Sequence, residues 1–336
     1  MDCRDPDCRD AIVASAACHP WPLDSGTPCR NDSLKNLRAV SGILLLDKPL
    51  CLSSNKALQK ARHLFGAAKA GHTGSLDPLA TGLLPICFGE ATKIAGHLLG
   101  ARKAYDAAVR LGITTSTDDA EGDVLAVRPV PALERAAIDA ALYTLRGRIV
   151  QTPPAYSAIK QGGVALYKRA RRGEEVQVPT REVEVHRLEL TAHDGDVLSL
   201  HVECGSGTYV RSLARDLGER LGCGAHLTAL RRLWVEPFLQ PRMHTLEELQ
   251  RLREEGGIAA LERLLLPLEH GLGALPALRL SEEQAAQLRQ GKRLTCGELG
   301  PQELCCALDA RGQLVALVRI DGQGEVRVQR GFNQPG

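Results

Sequence analysis

A single carboxylate, Asp77, stands in an unusually constrained segment of the chain, residues 71–82. Three glycines allow this backbone to turn tightly and to approach a ligand closely, and Pro78 fixes the chain directly after the aspartate. Rigid placement suits a carboxylate that attacks a substrate or removes a proton. The alternative is that Asp77 only caps the turn or a following helix. Residue types alone favour that alternative, because Asp before Pro is common in turns.

Two tyrosines are further candidates for a site. Tyr105 lies on the apolar phase of an alternating pattern, residues 105–111, which predicts a strand. It could therefore be a core tyrosine with a bonded hydroxyl as readily as a binding residue. Tyr209 follows the helix-starting segment 205–208 and could simply pack in the first helical turn.

Three other residues each have an ordinary alternative. His72 follows a glycine in a turn, where it could be a solvated histidine. Arg211 shares a helix flank with Arg215, four residues on, and could pair with a neighbouring acid on that surface for little gain. Leu230 cannot be distinguished from a core leucine by pattern.

Composition limits the class of protein. The 336 residues suffice for one large and one small domain, 44% are hydrophobic, and the net charge is only +2. Positive charge is concentrated in two stretches, either solvated faces or a nucleic-acid surface: Lys56, Lys60, Arg62, His63, Lys69 and His72, then Lys160, Lys168, Arg169, Arg171, Arg172, Arg181 and Arg187. No window approaches the roughly 18 apolar residues of a membrane helix.

The eleven cysteines do not resemble a disulfide framework, because the chain is long and their number is odd. Without a signal-peptide pattern, we expect reduced thiols and a cytoplasmic protein. Four cysteines and His19 lie in residues 1–36, but their spacings match no compact metal motif. The polar composition of residues 1–36 predicts a poorly ordered extension.

The patterns farther along predict irregularly alternating helices and strands. We expect a buried strand at 43–46, a helix capped by Ser53 or Ser54, a loop at 114–122 and a helix after 208; further helices are predicted around 91–99 and 132–146, and strands at 183–190 and 197–204. After 276 a short helix and three β-type runs predict a small β-barrel-like domain. The whole favours an α+β fold with a mixed, largely antiparallel sheet flanked by helices.

Several sequence blocks, in order, resemble the tRNA pseudouridine synthase B family of bacteria. The blocks cover roughly residues 40–240, and the Asp77 segment is the most specific: 42–49, 71–82, 103–105, 151–160, 205–211, 221–227 and 230–232. The resemblance implies the pseudouridine synthase fold in a catalytic domain of residues 37–275. It also implies a PUA-like RNA-binding domain at 276–332.

The resemblance further implies roles for individual residues. Asp77 would be the catalytic aspartate, Arg211 its partner and Tyr105 the ring that stacks on the extruded base and assists proton removal at C5. His72 would hold the opened T-loop, while Tyr209 and Leu230 would line the pocket. An Asp–Arg pair favours the charged carboxylate, and a ring replaces stacking lost on base flipping.

The function implied is isomerisation of a uridine in the T-loop of tRNA, position 55 in tRNA numbering. The reaction needs neither redox change nor water, so no cofactor or metal is expected. The expected partner is the T-stem-loop of tRNA, bound by a monomer. Two rival hypotheses are a non-catalytic tRNA-binding protein and a hydrolase with an aspartate nucleophile, which would need a second acid or metal ligands. Whether Asp77 attacks covalently or removes a ribose proton stays open.

Overall fold

The computed structural model describes residues 37–99, 102–157, 160–161, 164–165, 172, 178–295 and 299–333. The predicted extension at 1–36, with its cysteine group, lies outside these residues, as do Lys168, Arg169 and Arg171 of the second basic stretch. Five cysteines of the described residues are buried and take part in no disulfide: Cys87, Cys204, Cys223, Cys305 and Cys306. Cys51 is disulfide-bonded, which departs from the expectation of reduced thiols.

The described residues form strands and helices in irregular alternation. The strands are β1 (Gly42–Lys48), β2 (Ala70–His72), β3 (Ala80–Phe88), β4 (Lys103–Leu111), β5 (Ile113–Thr115), β6 (Val124–Val127), β7 (Gly147–Gln151), β8 (Lys160–Gln161), β9 (Val164–Ala165), β10 (Arg181–Asp194), β11 (Val197–Cys204), β12 (Ala225–Val235), β13 (Ala277–Arg279), β14 (Leu294–Thr295), β15 (Gln302–Leu308), β16 (Leu314–Ile320) and β17 (Glu325–Gly331). The helices are α1 (Ser54–Phe65), α2 (Ala95–Leu99), α3 (Arg135–Tyr143), α4 (Val210–Arg220), α5 (Leu246–Glu262) and α6 (Glu282–Arg289), with 3₁₀ turns at Gly89–Lys93 and Leu268–Leu272.

The main sheet has the strand order β1-β3-β12-β4-β11-β10-β7, and β2 pairs with β3. All these pairs are antiparallel except β3 with β12. The α+β fold with a mixed, largely antiparallel sheet is thus confirmed. Two short hairpins, β5–β6 and β8–β9, lie outside this sheet.

Aliphatic side chains hold the helices on the sheet. Alternate residues of β4 and β11 face α3 and α4 in one core, which includes Val109, Leu200 and Leu217. A second core lies between β1, β3, α1 and α5, where Phe65 stacks on Phe88. The period-2 pattern of the strands and the 3.6-residue period of the helices bring these apolar faces together.

The C-terminal sheet has the order β13-β15-β16-β17-β14 and encloses its own core with α6. The side chain of Ser281 caps α6, and Gln284 completes the capping box. Leu317 of this sheet and Phe332, just after it, share an apolar cluster with Ile43 of β1 and Leu272. No helix in the described ranges is long and apolar enough to cross a membrane.

Two local predictions were incomplete. The predicted loop at 114–122 begins within β5, and the helix expected around 91–99 is a 3₁₀ turn followed by the short α2. Strand β12 was not predicted, although it lies at the centre of the sheet. Its register shifts beside β4, and Arg231 and Arg232 stand together in it, so it lacks a clean alternation of apolar and polar residues.

Gly82 allows β3 to lie between β1 and β12. It is paired with Lys48 on one side and Arg232 on the other, and its φ is +93°. A Cβ atom there would lie 2.8 Å from the backbone nitrogen of Arg232 and closer still to its carbonyl oxygen. Only glycine combines this conformation with so close an approach.

We expect Gly82→Ala to destabilise the fold severely. The left-handed conformation costs an alanine about 1–2 kcal/mol, and the backbone clash adds about 1–3 kcal/mol. Gly147→Ala is the matched control, because Gly147 also has a left-handed φ of +75° but has open space, with nothing within 4 Å, where a Cβ atom would lie. Denaturant unfolding of both variants measures the difference, and equal losses would contradict the clash.

Candidate active site

The Asp77 segment is a tight connection between β2 and β3. The buried hydroxyl of Ser54, at the start of α1, accepts a hydrogen bond from the Leu76 amide (2.7 Å) and donates one to the Leu76 carbonyl (3.0 Å). The Asp77 carbonyl accepts from the amide of Ala80, which begins β3. No helix follows Asp77, so the capping of a following helix is excluded for this carboxylate.

Two buried cations hold the backbone of this segment. The Lys48 ammonium donates to the carbonyl oxygens of Leu52 (2.6 Å) and Pro49 (2.9 Å) and lies 3.5 Å from that of Pro78. Burial lowers the pKa of Lys48 to about 8, while the charge of Asp77 acts in the opposite direction. Lys48 therefore links the loop after β1 to the Pro78 carbonyl, one residue beyond the candidate catalytic residue.

Arg232 supports the other end of the segment. Its guanidinium donates to the carbonyl oxygens of Leu83 (2.7 Å) and Gly74 (3.0 Å), and its side chain is almost wholly buried. Since Leu83 belongs to β3 and Arg232 to β12, the arginine ties the loop to the centre of the sheet.

Arg211 brings Asp77 together with a second aspartate. Its Nε lies 3.0 Å from Oδ2 of Asp77, as an ion pair rather than a well-aligned hydrogen bond, and its Nη1 lies 3.2 Å from Oδ2 of Asp119. The side chains of Arg211 and Asp119 are 5% and 3% exposed, whereas that of Asp77 is 46% exposed. The guanidinium of Arg211 is thus buried, whereas the carboxylate of Asp77 is accessible to a ligand.

The remaining donors of Arg211 bind two loops. Nη1 donates to the Thr117 carbonyl (2.9 Å) and Nη2 to the Tyr156 carbonyl (3.0 Å). The other carboxylate oxygen of Asp119 accepts from the Glu121 amide and the Thr117 hydroxyl. Asp119 is therefore committed to its own loop and to Arg211.

The second carboxylate changes one part of the sequence-based reasoning. A hydrolase with an aspartate nucleophile would need a second acid, and the structure brings one to the site, because Asp119 shares Arg211 with Asp77. Both oxygens of Asp119 are nevertheless engaged by its own loop and by Arg211, and its side chain is 3% exposed, which sets it apart from a carboxylate that activates water. A buried, paired carboxylate of this kind orients its partner cation.

The electrostatics of Asp77 combine opposing effects. Desolvation raises its pKa above the ordinary value for aspartate, the Arg211 cation lowers it, and the charge of Asp119 raises it again. Arg211 therefore offsets part of the desolvation and favours the ionised carboxylate.

Tyr105 lies on β4 beside Arg232 of β12 and is 7% exposed. Burial raises the pKa of its phenol to about 12, and the charge of Asp77 also acts in that direction. The phenol is therefore protonated at neutral pH. Tyr105 belongs to the same apolar cluster as Leu76 and Ala80, the residues that flank the Asp77 turn.

The other predicted residues lie around the same turn or at the start of α4. His72 ends β2; its Nδ1 is buried without a hydrogen-bond partner, and desolvation followed by the charge of Arg232 lowers its pKa. Leu230 pairs with Ala80 across the β3–β12 junction. Tyr209 precedes α4, and the guanidinium of Arg181 lies 4.8 Å from its ring centroid.

Sequence reasoning missed three charged residues of this site. Lys48 had a signal, since a lysine ends an otherwise apolar strand. Arg232 belonged to one of the family-like blocks but had no role, and Asp119 lay in a polar stretch with three other acids, Asp118, Glu121 and Asp123. Only the fold distinguishes Asp119 from these neighbours.

Three family models match consecutive parts of the chain. The model described as TruB family pseudouridylate synthase, N-terminal domain, matches residues 62–210. The tRNA pseudouridylate synthase B C-terminal domain matches 211–273, and the tRNA pseudouridine synthase II C-terminal model matches 275–327.

Solved structures with the same fold include a Cbf5–Nop10–Gar1 complex and an H/ACA RNP bound to a substrate RNA containing 2′-deoxyuridine. The first has a TM-score of 0.69 at 24% identity and covers 88% of this chain and 86% of the other. The second has a TM-score of 0.67 at 23% identity and covers 87% and 85%. These likenesses establish the fold.

Curated relatives are much closer in sequence. A tRNA pseudouridine synthase B of Xanthomonas campestris pv. campestris (strain B100) is 57% identical, with 88% of this chain and 95% of the relative covered. The proteins of the same name from Xylella fastidiosa (strain Temecula1 / ATCC 700964) and Stutzerimonas stutzeri (strain A1501) are 55% and 49% identical, covering 88% and 87% of this chain and 97% and 96% of theirs. With this identity over nearly the whole length of its relatives, the chain belongs to the TruB family of pseudouridine synthases.

Proposed function

We propose that the chain isomerises one uridine in the T-loop of tRNA, position 55, after that base has been flipped out of its stack. As a member of its family the chain converts uridine to pseudouridine in tRNA. The observation that carries the proposed mechanism is the half-exposed Asp77 carboxylate, held by buried Arg211 in a rigid turn. A uridine in a loop is also less costly to extrude than one in a duplex.

The reaction requires few groups. The N1–C1′ bond breaks, the uracil rotates, C1′ bonds to C5, and the hydrogen lost from C5 is balanced by one gained at N1. Ionised Asp77 either attacks the sugar or removes a proton from the ribose; both roles need the carboxylate free of its proton. Arg211 serves either role by offsetting the desolvation of Asp77.

The tyrosines and Leu230 serve as binding surfaces in this proposal. Tyr105 stacks on the extruded uracil, and Leu230 and Tyr209 line the pocket. Tyr105 also assists proton removal at C5 in this proposal; burial raises the pKa of its phenol to about 12, so the hydroxyl must give up its own proton to act as the base there. His72, whose pKa is lowered, contacts the opened loop as a neutral imidazole.

We propose that residues 37–275 form the catalytic domain and that residues 276–332 form a PUA-like domain that binds RNA. Exposed Lys56 on α1 and Lys69 after it offer positive charge to the RNA. We propose a monomer that works in the cytoplasm on tRNA.

A non-catalytic tRNA-binding protein would have no use for a carboxylate that faces the RNA, because a carboxylate repels phosphate.

We expect Asp77→Asn to remove activity while leaving tRNA binding intact. The amide keeps the shape of the turn but can neither attack nor take a proton, so the rate should fall on the order of 10⁴-fold or more. Asp139→Asn, on the surface of α3, is the control. The measurement is pseudouridine at position 55 of unmodified tRNA by mass spectrometry. Absence of product from the native chain bound to tRNA would refute the enzyme, and undiminished product from Asp77→Asn would refute the role of Asp77.

The pH profile should report the Asp77–Arg211 pair. Because desolvation raises the pKa of Asp77, the acid limb of kcat/KM should lie above the ordinary range of aspartate, with activity falling as the pH drops through it. Arg211→Met removes the opposing cation and should move that limb to still higher pH. Arg220→Met, at the exposed end of the same helix, should leave it in place. A limb that stays fixed or moves to lower pH in Arg211→Met would contradict the pairing.

Tyr105→Leu should lose turnover but retain tRNA binding, since the apolar core position is filled while stacking on the base is lost. Tyr143→Leu, a substitution at a 72% exposed tyrosine, is the control. Single-turnover rates at saturating enzyme, together with filter binding, separate the two effects. Weakened binding with unchanged turnover of bound tRNA would argue against stacking at the reacting base.

A further inference from the structure

A second arginine of α4 binds the same two loops as Arg211. Arg215 lies one turn along the helix, and its Nη1 lies 2.8 Å from Oδ2 of Asp118. Its Nη2 donates to the Thr152 carbonyl (2.9 Å), and its Nε to Asp216 (3.0 Å). The side chains of Arg215 and Asp118 are 26% and 16% exposed, so the pair is largely withdrawn from solvent.

The backbone of Asp118 gives this contact a specific geometric consequence. Its φ is +59°, in the left-handed region that aspartate and asparagine tolerate better than other non-glycine residues. The turn sends consecutive carboxylates to different arginines, Asp118 to Arg215 and Asp119 to Arg211. The Asp118 carbonyl also accepts from the Leu227 amide, which docks the loop on β12.

We propose that Arg215 and Asp118 form a positioning pair that sets the loop on which Arg211, and through it Asp77, depends. Thr117 and Asp119, the immediate neighbours of Asp118, supply two of the acceptors of Arg211. A shift of this loop therefore changes where the guanidinium faces Asp77. Neither Arg215 nor Asp118 touches the substrate in this role.

The bonding on the opposite loop supports the same role. The Thr152 carbonyl accepts from Arg215 and also from the Ser212 hydroxyl (2.9 Å), while the Tyr156 carbonyl accepts from Arg211. Arg211 and Arg215 thus cross-link residues 117–119 to residues 152–156 through one flank of α4. An ordinary surface pair would join only two side chains and would contribute little.

The test compares Arg215→Met, Asp118→Asn and the double variant with the native chain. Asparagine keeps the size and the tolerance of a positive φ, so Asp118→Asn removes only the charge. The control is Arg135→Met on α3, because Arg135 also pairs with an aspartate, Asp139 (3.0 Å), and donates to a distant carbonyl, that of Leu190 (2.8 Å), 55 residues along the chain. Arg215→Lys is a milder variant should Arg215→Met fold poorly.

We expect each single variant to lower the single-turnover rate by about 10- to 100-fold, with the tRNA Kd and the Tm changed no more than in Arg135→Met. The double variant should show no lower rate than the slower single variant, because both substitutions break the same Arg215–Asp118 contact and their effects therefore do not add. Arg215→Lys should recover part of the rate. Release of tritium from C5 of the reacting uridine measures the rate.

Native-like rates in Arg215→Met and Asp118→Asn would overturn the positioning role. So would losses that multiply in the double variant, or that merely follow the Tm. The inference rests on the proposed function, whose failure has a different signature, namely no tritium release by the native chain itself.

Discussion

The site depends on a buried guanidinium that needs hydrogen-bond acceptors and negative charge on several sides at once. Arg211 is withdrawn from solvent, and two carboxylates and two carbonyl oxygens replace its hydration. Removing one partner of such a buried pair costs about 3–5 kcal/mol, because the remaining charge stays desolvated. The fold therefore has to deliver the Asp77 turn, the loop of Asp119 and the loop of Tyr156 to one helix. The same contacts therefore place Asp77 for catalysis and stabilise the fold.

The supporting cations show how the chain can hold an aspartate without neutralising it. Arg232 donates to the Gly74 carbonyl of the Asp77 segment, and Lys48 donates to the Leu52 carbonyl and lies 3.5 Å from that of Pro78; neither donates to the Asp77 carboxylate among the described contacts. Backbone acceptors fix the peptide, and the carboxylate keeps one open side. The arrangement separates rigidity from charge pairing, since only Arg211 makes a direct ion pair with Asp77 among the described contacts.

Local pattern predicted the parts of the fold that local physics determines. The strand at β4, the cap of α1 by Ser53 and the helix after Tyr209 follow from periodicity and capping. The resemblance supplied Asp77, Tyr105 and Arg211 as a set, and Arg211 does meet Asp77 in space. Strand β12 and the Asp119–Arg211 contact depend on partners far along the chain, and no periodicity records such contacts. Asp119 is indistinguishable from its acidic neighbours until the loop is folded onto α4.

The parallel pairing of β3 with β12 has a consequence for the order of events during synthesis. Arg232 reaches back 158 residues to Gly74 and 149 residues to Leu83, and β12 separates β3 from β4 in the sheet. A ribosome-bound chain that ends before β12 contains the Asp77 segment but lacks the strand that completes it. Contacts of such long range also slow folding, because the entropy of closing the long loop is lost before the contacts can stabilise the chain. The nascent enzyme thus becomes competent only after more than two thirds of it has emerged.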